Sequence, residues 1–210
     1  ISATGSSTVN VTGNTIGLTT GTIGFFSYST AGGNIFFINL SGTGSMNVQN
    51  NIIQAVTAGN SAATAAFNIT GISVAGSAAY TITGNTIGHT TPADSINMGT
   101  LGTSTTAVTF TGITSSSTGN LVVGSSGNAN TIQNITIKPL ANNSFIGFSN
   151  SGINTSTSVS YNVVKGVSFT SASSTGSVFR GINNTAAVTG NIDFNNNSFG
   201  VYAFMERKIC

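Results

Sequence analysis

The feature that most restricts the fold of this chain is a short phrase that returns along its length. Residues 11–17 read VTGNTIG, and residues 82–88 read ITGNTIG. Related phrases, in which an Asn lies two or three residues after an apolar residue, surround Asn51, Asn134 and Asn196, and residues 163–169 fit the same frame with Gly166 in place of Asn. Such a recurrence predicts a repeat architecture, in which each unit buries its apolar side chains by stacking on the next.

A second kind of segment alternates with the first. It is four to six residues long, rich in Phe, Ile, Val and Thr, and either alternates apolar with polar residues or is continuously apolar. Its copies are residues 35–40, 67–72, 108–113, 145–148 and 178–182. This pattern predicts β-strands and not helices. Ser/Thr/Gly/Ala-rich stretches between the segments predict turns and loops.

The surface of the chain must be made from uncharged polar residues. Only 4% of residues are charged, the first acid is Asp94 and the first base is Lys138. Hydrophobic residues make up 39%, with 13 Phe, which favours a folded core over disorder. A net charge of +2 is too small for a nucleic-acid footprint, and no run is long and apolar enough to predict membrane insertion. Strong helix formers are scarce, so we expect essentially no α-helix.

The repeated Asn has a physical reason in such a fold. Asn tolerates the left-handed conformation of a sharp bend, and stacked amides hydrogen-bond from one unit to the next. We therefore predict a structural asparagine ladder. Its members are Asn14, Asn51, Asn85, Asn134 and Asn196.

The pattern Ile/Val-x-x-Asn-x-Ile resembles the repeats of right-handed parallel β-helices of the pectate-lyase-like superfamily. The charge-poor Ser/Thr/Gly/Asn background is similar to long bacterial surface adhesins and Bacteroidetes-type secreted repeat proteins. The resemblance implies an all-β, single-stranded β-solenoid of about five to six coils over residues 1–204, with an insertion near residues 118–130. Residues 205–210 form an atypical charged tail or cap that ends in Cys210. An antiparallel β-sandwich is the alternative fold.

Few residues could carry chemistry. Asp94, Asp193 and Glu206 are the only acids. With coils stacked at about 4.8 Å, Asp94 and Asp193 would lie about 14 Å apart, farther than the roughly 5–9.5 Å of a glycosidase pair. His89 has no Cys, Asp or second His near it to complete a metal site, and Arg180 is expected to be a solvated strand residue. We expect no catalytic residues, no metal and no cofactor.

These observations predict a non-catalytic structural or adhesive module, located outside the cell or on its surface. Strand edges that are open at both ends predict end-to-end self-association or packing against neighbouring repeats of a longer chain. A carbohydrate-binding or carbohydrate-degrading domain is the alternative, with glycans stacking on Phe36, Phe110 or Phe179 if these rings were exposed. Ice binding by a hydroxyl row such as residues 103–106 is a third reading.

Overall fold

The computed structural model describes residues 1–18, 23–27, 33–60, 67–91, 96–98, 107–138, 142–169 and 176–201. These residues form 21 β-strands, which assemble into three parallel sheets. No helix occurs among them, as the sequence predicts. It follows that no helix of this described part is long and apolar enough to cross a bilayer.

Sheet A contains the strands of the second kind of sequence segment. It is six strands deep, in the order β1 (Ser2–Gly5), β5 (Gly33–Gly42), β9 (Phe67–Gly76), β13 (Thr109–Ser117), β16 (Ser144–Asn150) and β19 (Val178–Asn184). Neighbouring strands in this order come from successive units of the chain.

Each sheet A strand is followed along the chain by a strand of sheet B, which is also six strands deep. Its order is β2 (Val9–Thr12), β6 (Ser45–Gln49), β10 (Ala79–Thr83), β14 (Leu121–Val123), β17 (Thr157–Val159) and β20 (Ile192–Asp193). These strands are short, because each is bounded by a bend on both sides.

Sheet C closes each circuit. In the first three units it consists of two short strands per unit: β3 (Thr15–Ile16) with β4 (Ile23–Ser27), β7 (Ile52–Ile53) with β8 (Val56–Asn60), and β11 (Thr86–Ile87) with β12 (Ile96–Met98). In the later units one strand takes this place: β15 (Thr131–Ile137), β18 (Val163–Phe169) and β21 (Ser198–Val201). Strand β15 pairs with both β11 and β12, which joins the two patterns.

The chain is therefore a parallel β-solenoid. Each circuit, here called a rung, contributes strands to sheets A, B and C in turn, and rungs 1 to 6 begin with β1, β5, β9, β13, β16 and β19. Every pairing among the described strands is parallel, which excludes the antiparallel sandwich.

The core consists of columns of inward-facing side chains, one residue per rung. In sheet A, one column changes from aliphatic to aromatic along the solenoid, through Ile35, Ile69, Phe110, Phe145 and Phe179. The ring centroids of Phe110 and Phe145 are 5.6 Å apart, and those of Phe145 and Phe179 are 5.1 Å apart, in nearly parallel stacks. Stacking of like side chains thus gives a continuous core.

A column of glycines lets sheet A approach sheet C. Gly71, Gly112, Gly147 and Gly181 follow one another in successive rungs. A Cβ on Gly112 would lie 2.3 Å from Cδ1 of Ile132 in sheet C and 2.7 Å from the carbonyl oxygen of Gly147. Because these positions have no side chain, the sheet C residues can fill the space beside them.

The two ends of the solenoid are less covered than its middle. Val11 is the only buried residue among the described side chains of rung 1, and none of the residues 178–200 of rung 6 is buried. Core columns are therefore accessible at both ends, through half-buried or exposed members such as Ile16 in rung 1 and Ile192 and Phe199 in rung 6.

Candidate functional site

The most regular polar feature is an asparagine ladder at the corner between sheets B and C. Five side-chain hydrogen bonds join six asparagines, one from each rung: Asn14, Asn51, Asn85, Asn130, Asn162 and Asn197. In each, Nδ2 of one residue donates to Oδ1 of the next, over 2.9 to 3.0 Å. The backbone amides of Asn14, Asn51, Asn85 and Asn162 donate to the same oxygens.

Every ladder amide after Asn14 also bonds to the preceding rung. Nδ2 of Asn51 donates to the carbonyl of Val11 over 2.8 Å, and Nδ2 of Asn85 donates to that of Val48 over 2.8 Å. The same bond recurs at Asn130, Asn162 and Asn197. Each of these five ladder side chains therefore connects its rung with the rung before it, and all but Asn197 also connect with the rung after it. This pairing permits the burial of Asn51 and Asn85, which are 0% and 1% exposed.

The bend and the ladder are formed by two different residues, and not by one as we expected. The residue before the ladder asparagine has a positive φ in five rungs, with values from 53° to 68°, at Gly13, Asn50, Gly84, Tyr161 and Asn196. In rung 4 a longer connection over residues 124–130 takes the place of the bend, within the region where an insertion was predicted. The left-handed residue turns the chain, and the next residue then directs its amide along the solenoid axis.

The structure places Asn14, Asn51 and Asn85 in the ladder and corrects the other two predicted positions. Asn134 lies within β15 in the left-handed conformation, with φ 53°, and its Nδ2 donates to the carbonyl of His89. Asn196 is the bend residue before Asn197. The left-handed backbone expected of these two residues and of Gly166 is present, with φ 53°, 53° and 64°, but none of the three belongs to the ladder.

A short triplet in the sequence accompanies each ladder residue. Each ladder asparagine is followed by one outward residue and then by one apolar inward residue of sheet C, as in Asn14-Thr15-Ile16. The triplet NTI recurs unchanged at residues 85–87 and 130–132, and its variants are NII at 51–53, NVV at 162–164 and NSF at 197–199. Matching NTI would have selected Asn130, but NSF also occurs at residues 143–145, outside the ladder, so the variant triplets do not single out Asn197.

Sequence reasoning also missed a second buried polar column, at the end of sheet A. It runs through Ala3, Leu40 and Val74 and becomes Ser115, Asn150 and Asn184 in the last three rungs. Nδ2 of Asn150 donates to Oδ1 of Asn184 over 2.8 Å. The polar side chains of this column therefore also make contacts between rungs, and they do not converge on a single site.

The groups considered for chemistry are scattered. Arg180 is exposed on β19, as expected of a solvated strand residue, and Asp193 is exposed on β20. Nδ1 of His89 lies 3.0 Å from Oγ1 of Thr91 in a surface loop. Within the described ranges, no group of three His, Cys, Asp or Glu residues could hold a metal ion. Asp94, Glu206, Cys210, the rest of the 205–210 tail and the hydroxyl row at 103–106 lie outside the described residues.

The three aromatic residues proposed for sugar stacking differ in how exposed their rings are. Phe110 is fully buried and Phe179 is half-buried in the aromatic stack, whereas Phe36 is 44% exposed on the outer face of sheet A. A cavity of about 10 Å³ beside Phe148 and Val164 is far smaller than the roughly 300–1,000 Å³ of a ligand pocket. One exposed ring thus remains of the three.

The outer faces of the sheets carry short rows of uncharged amides. Nδ2 of Asn47 donates to Oδ1 of Asn10 over 2.7 Å on sheet B, and Nδ2 of Asn68 donates to Oδ1 of Asn34 over 3.0 Å on sheet A. These exposed pairs repeat the geometry of the buried ladder at the surface.

No protein-family model, curated protein or solved structure matches the chain.

Proposed function

We propose that the chain is a non-catalytic structural or adhesive β-solenoid module. The observation that carries this proposal is the asparagine ladder, which runs through all six rungs and is supported by a second polar column at the end of sheet A. Buried polar groups in an enzyme converge on a reacting atom, whereas these groups bond rung to rung along the axis. Their arrangement favours a role in which the length and rigidity of the solenoid matter.

We further propose an extracellular or cell-surface location, as a segment of a longer surface protein or as a protomer that stacks end to end. The charge-poor Ser/Thr/Asn/Gly surface supports this, together with the resemblance of the sequence to adhesins and to the pectate-lyase-like β-helix repeats. In this setting the outward amide and hydroxyl rows would contact a neighbouring surface, and the buried ladder would resist unfolding.

Two measurements test the proposal. The purified chain is incubated with a panel of neutral and acidic polysaccharides, and new reducing ends and unsaturated products are measured. We expect no turnover, because Asp193 is the only acid in the described part of the chain and glycoside cleavage uses a pair of carboxyl groups. Turnover that increases with protein concentration would overturn the non-catalytic role.

Negative-stain electron microscopy then distinguishes long fibres, which indicate a scaffold, from short rods, which indicate a module within a larger surface protein.

Glycan binding without cleavage is a second candidate, favoured by the exposed ring of Phe36 beside the outward amides of sheet A. A glycan array reports on it directly, with Phe36→Ala as the matched variant. Binding that survives this substitution would exclude stacking on Phe36 as its cause.

A further inference from the structure

The asparagine ladder has a direction. In every step the amide nitrogen belongs to the earlier rung and the accepting Oδ1 belongs to the later rung, from Asn14 to Asn51 at the start and from Asn162 to Asn197 at the end. The backbone amides of the ladder point the same way. The solenoid therefore has an acceptor end and a donor end.

The two ends carry opposite hydrogen-bonding groups. At the rung 1 end, no described group donates to Oδ1 of Asn14. At the rung 6 end, Nδ2 of Asn197 donates to the carbonyl of Val159 over 2.7 Å, and no described group accepts from its second hydrogen. Asn14 and Asn197 are both half-buried, so these groups lie at accessible edges. The acceptor at one end matches the donor at the other.

The apolar columns match in the same register. Phe199 is the last member of a sheet C column whose first member is Ile16, and Ile192 is the last member of a sheet B column whose first member is Val9. Phe199 and Ile192 are each 42% exposed, and Ile16 and Val9 are half-buried. A further rung stacked on rung 6 would cover Phe199 and Ile192, just as each inner rung covers the rung before it.

We propose that this chain binds a second copy of itself head to tail, with the Asn197 end of one copy against the Asn14 end of the next. The inference deepens the structural role proposed above and rests on it. Asn197 then donates to Oδ1 of Asn14 of the next copy, Phe199 packs on its Ile16, and Ile192 packs on its Val9. Such a contact uses different surfaces on the two copies, so it does not close and produces a filament.

The ladder also disfavours the two symmetric contacts. Two Asn14 ends would place acceptor against acceptor, and two Asn197 ends would place donor against donor. In each case polar groups would be buried without partners, which is unfavourable. Only the head-to-tail contact continues the hydrogen-bonding pattern that the chain already uses internally.

The experiment uses two variants that each block one end. Ile16→Lys places a charge at the rung 1 end, and Ile192→Lys places one at the rung 6 end. Each is compared with the wild-type chain by sedimentation velocity across a broad concentration series, alone and as an equimolar mixture. Circular dichroism checks that each variant retains its β-structure, and Val9→Lys and Phe199→Lys form a second pair if one of the first fails to fold.

Head-to-tail binding predicts a distinctive set of masses. The wild-type chain forms species that grow with concentration, each variant alone remains at the protomer mass of 21.0 kDa, and the mixture gives one species of twice the protomer mass. Dimers of either variant alone would reveal a symmetric contact and overturn the proposal. A wild-type chain that stays at the protomer mass would also overturn it, while the non-catalytic role would still be decided separately by the polysaccharide assay.

Discussion

An asparagine side chain has two amide hydrogens and one carbonyl oxygen, and the ladder uses all of them. Nδ2 of Asn85 donates to the carbonyl of Val48 and to Oδ1 of Asn130, and its Oδ1 accepts from both nitrogens of Asn51. An aspartate would lose the donors, and a serine would not reach both neighbours. The residue type is therefore determined by the need to donate and accept along one axis.

Removing one ladder residue should destabilise the solenoid strongly. Asn85→Ala leaves both nitrogens of Asn51 without their shared acceptor, and it removes the side-chain donor to the carbonyl of Val48 and one of the two donors to Oδ1 of Asn130, all within a buried site. We expect the free energy of unfolding in urea to fall by about 3 kcal/mol or more, because each buried polar group left unpaired costs about 1–3 kcal/mol.

The matched control for this change is Asn10→Ala, which removes an asparagine of the exposed pair with Asn47. Its effect should be about 0.5 kcal/mol or less, as for most surface substitutions. Equal effects of Asn85→Ala and Asn10→Ala would show that the buried ladder does not stabilise the fold.

Tyr80 should make the stability of the protein depend on alkaline pH. Burial raises the pKa of its phenol, whose hydroxyl donates to the carbonyl of Ala75 over 2.6 Å. Because the folded pKa is higher than the unfolded value of about 10, this contribution to stability is complete below about pH 10 and is lost as pH rises through the folded pKa.

Urea unfolding at neutral and at alkaline pH, on the wild-type chain and on Tyr80→Phe, measures this effect. The variant should be less stable at neutral pH, because the Ala75 carbonyl loses its donor, but should lose less stability on alkalinisation. Identical pH slopes for the two proteins would contradict the role given to Tyr80.

At the scale of the strand, the glycine column of sheet A should be sensitive to the addition of a side chain. Gly112→Ala places a methyl group against Cδ1 of Ile132 and the Gly147 carbonyl, so we expect a loss of about 1–3 kcal/mol from overpacking. Gly5→Ala is the control, because its new Cβ would meet only Cγ2 of Val9, at 3.8 Å. Thermal unfolding should separate the two variants, and a Gly112→Ala protein as stable as Gly5→Ala would show that sheet A can move aside.

The elements were predictable where local pattern and stacking agree. The strand segments at 35–40, 67–72 and 145–148 lie within β5, β9 and β16, because their alternation directly reflects one inward face. The ladder register was not predictable from the apolar–Asn spacing alone. Asn195, Asn196 and Asn197 are consecutive, and only the stacking of Phe199 on Val164 determines which of the three faces the axis.

The later part of the ladder was missed for a related reason. Residues 124–130 lengthen the connection before the fourth ladder residue, so the ladder spacing changes from 34 residues to 45 between successive steps. The apolar-x-Asn phrase at residues 132–134 then selects Asn134, which lies within β15, in place of Asn130. Insertions in outward loops leave the stacking intact but remove the regular spacing on which sequence reasoning depends.

At the scale of the whole molecule, stability should vary along the axis. Each rung contacts only its neighbours, so a terminal rung lacks half of the contacts of an inner rung. The exposure pattern agrees, since rungs 2 to 5 contain nearly all of the fully buried side chains and the described part of rung 6 contains none through residue 200. Opening should therefore begin at the two ends and reach the centre last.

Native-state hydrogen exchange can measure this gradient amide by amide. At low protein concentration, the amides of β10 and β14 should exchange slowest, and those of β2, β20 and β21 should exchange much faster. Raising the concentration should slow exchange in the end strands alone, because head-to-tail binding converts them into inner strands. Uniform protection from β2 to β21 would mean that the solenoid opens as a single unit, and end strands insensitive to concentration would mean that their edges stay unpaired in solution.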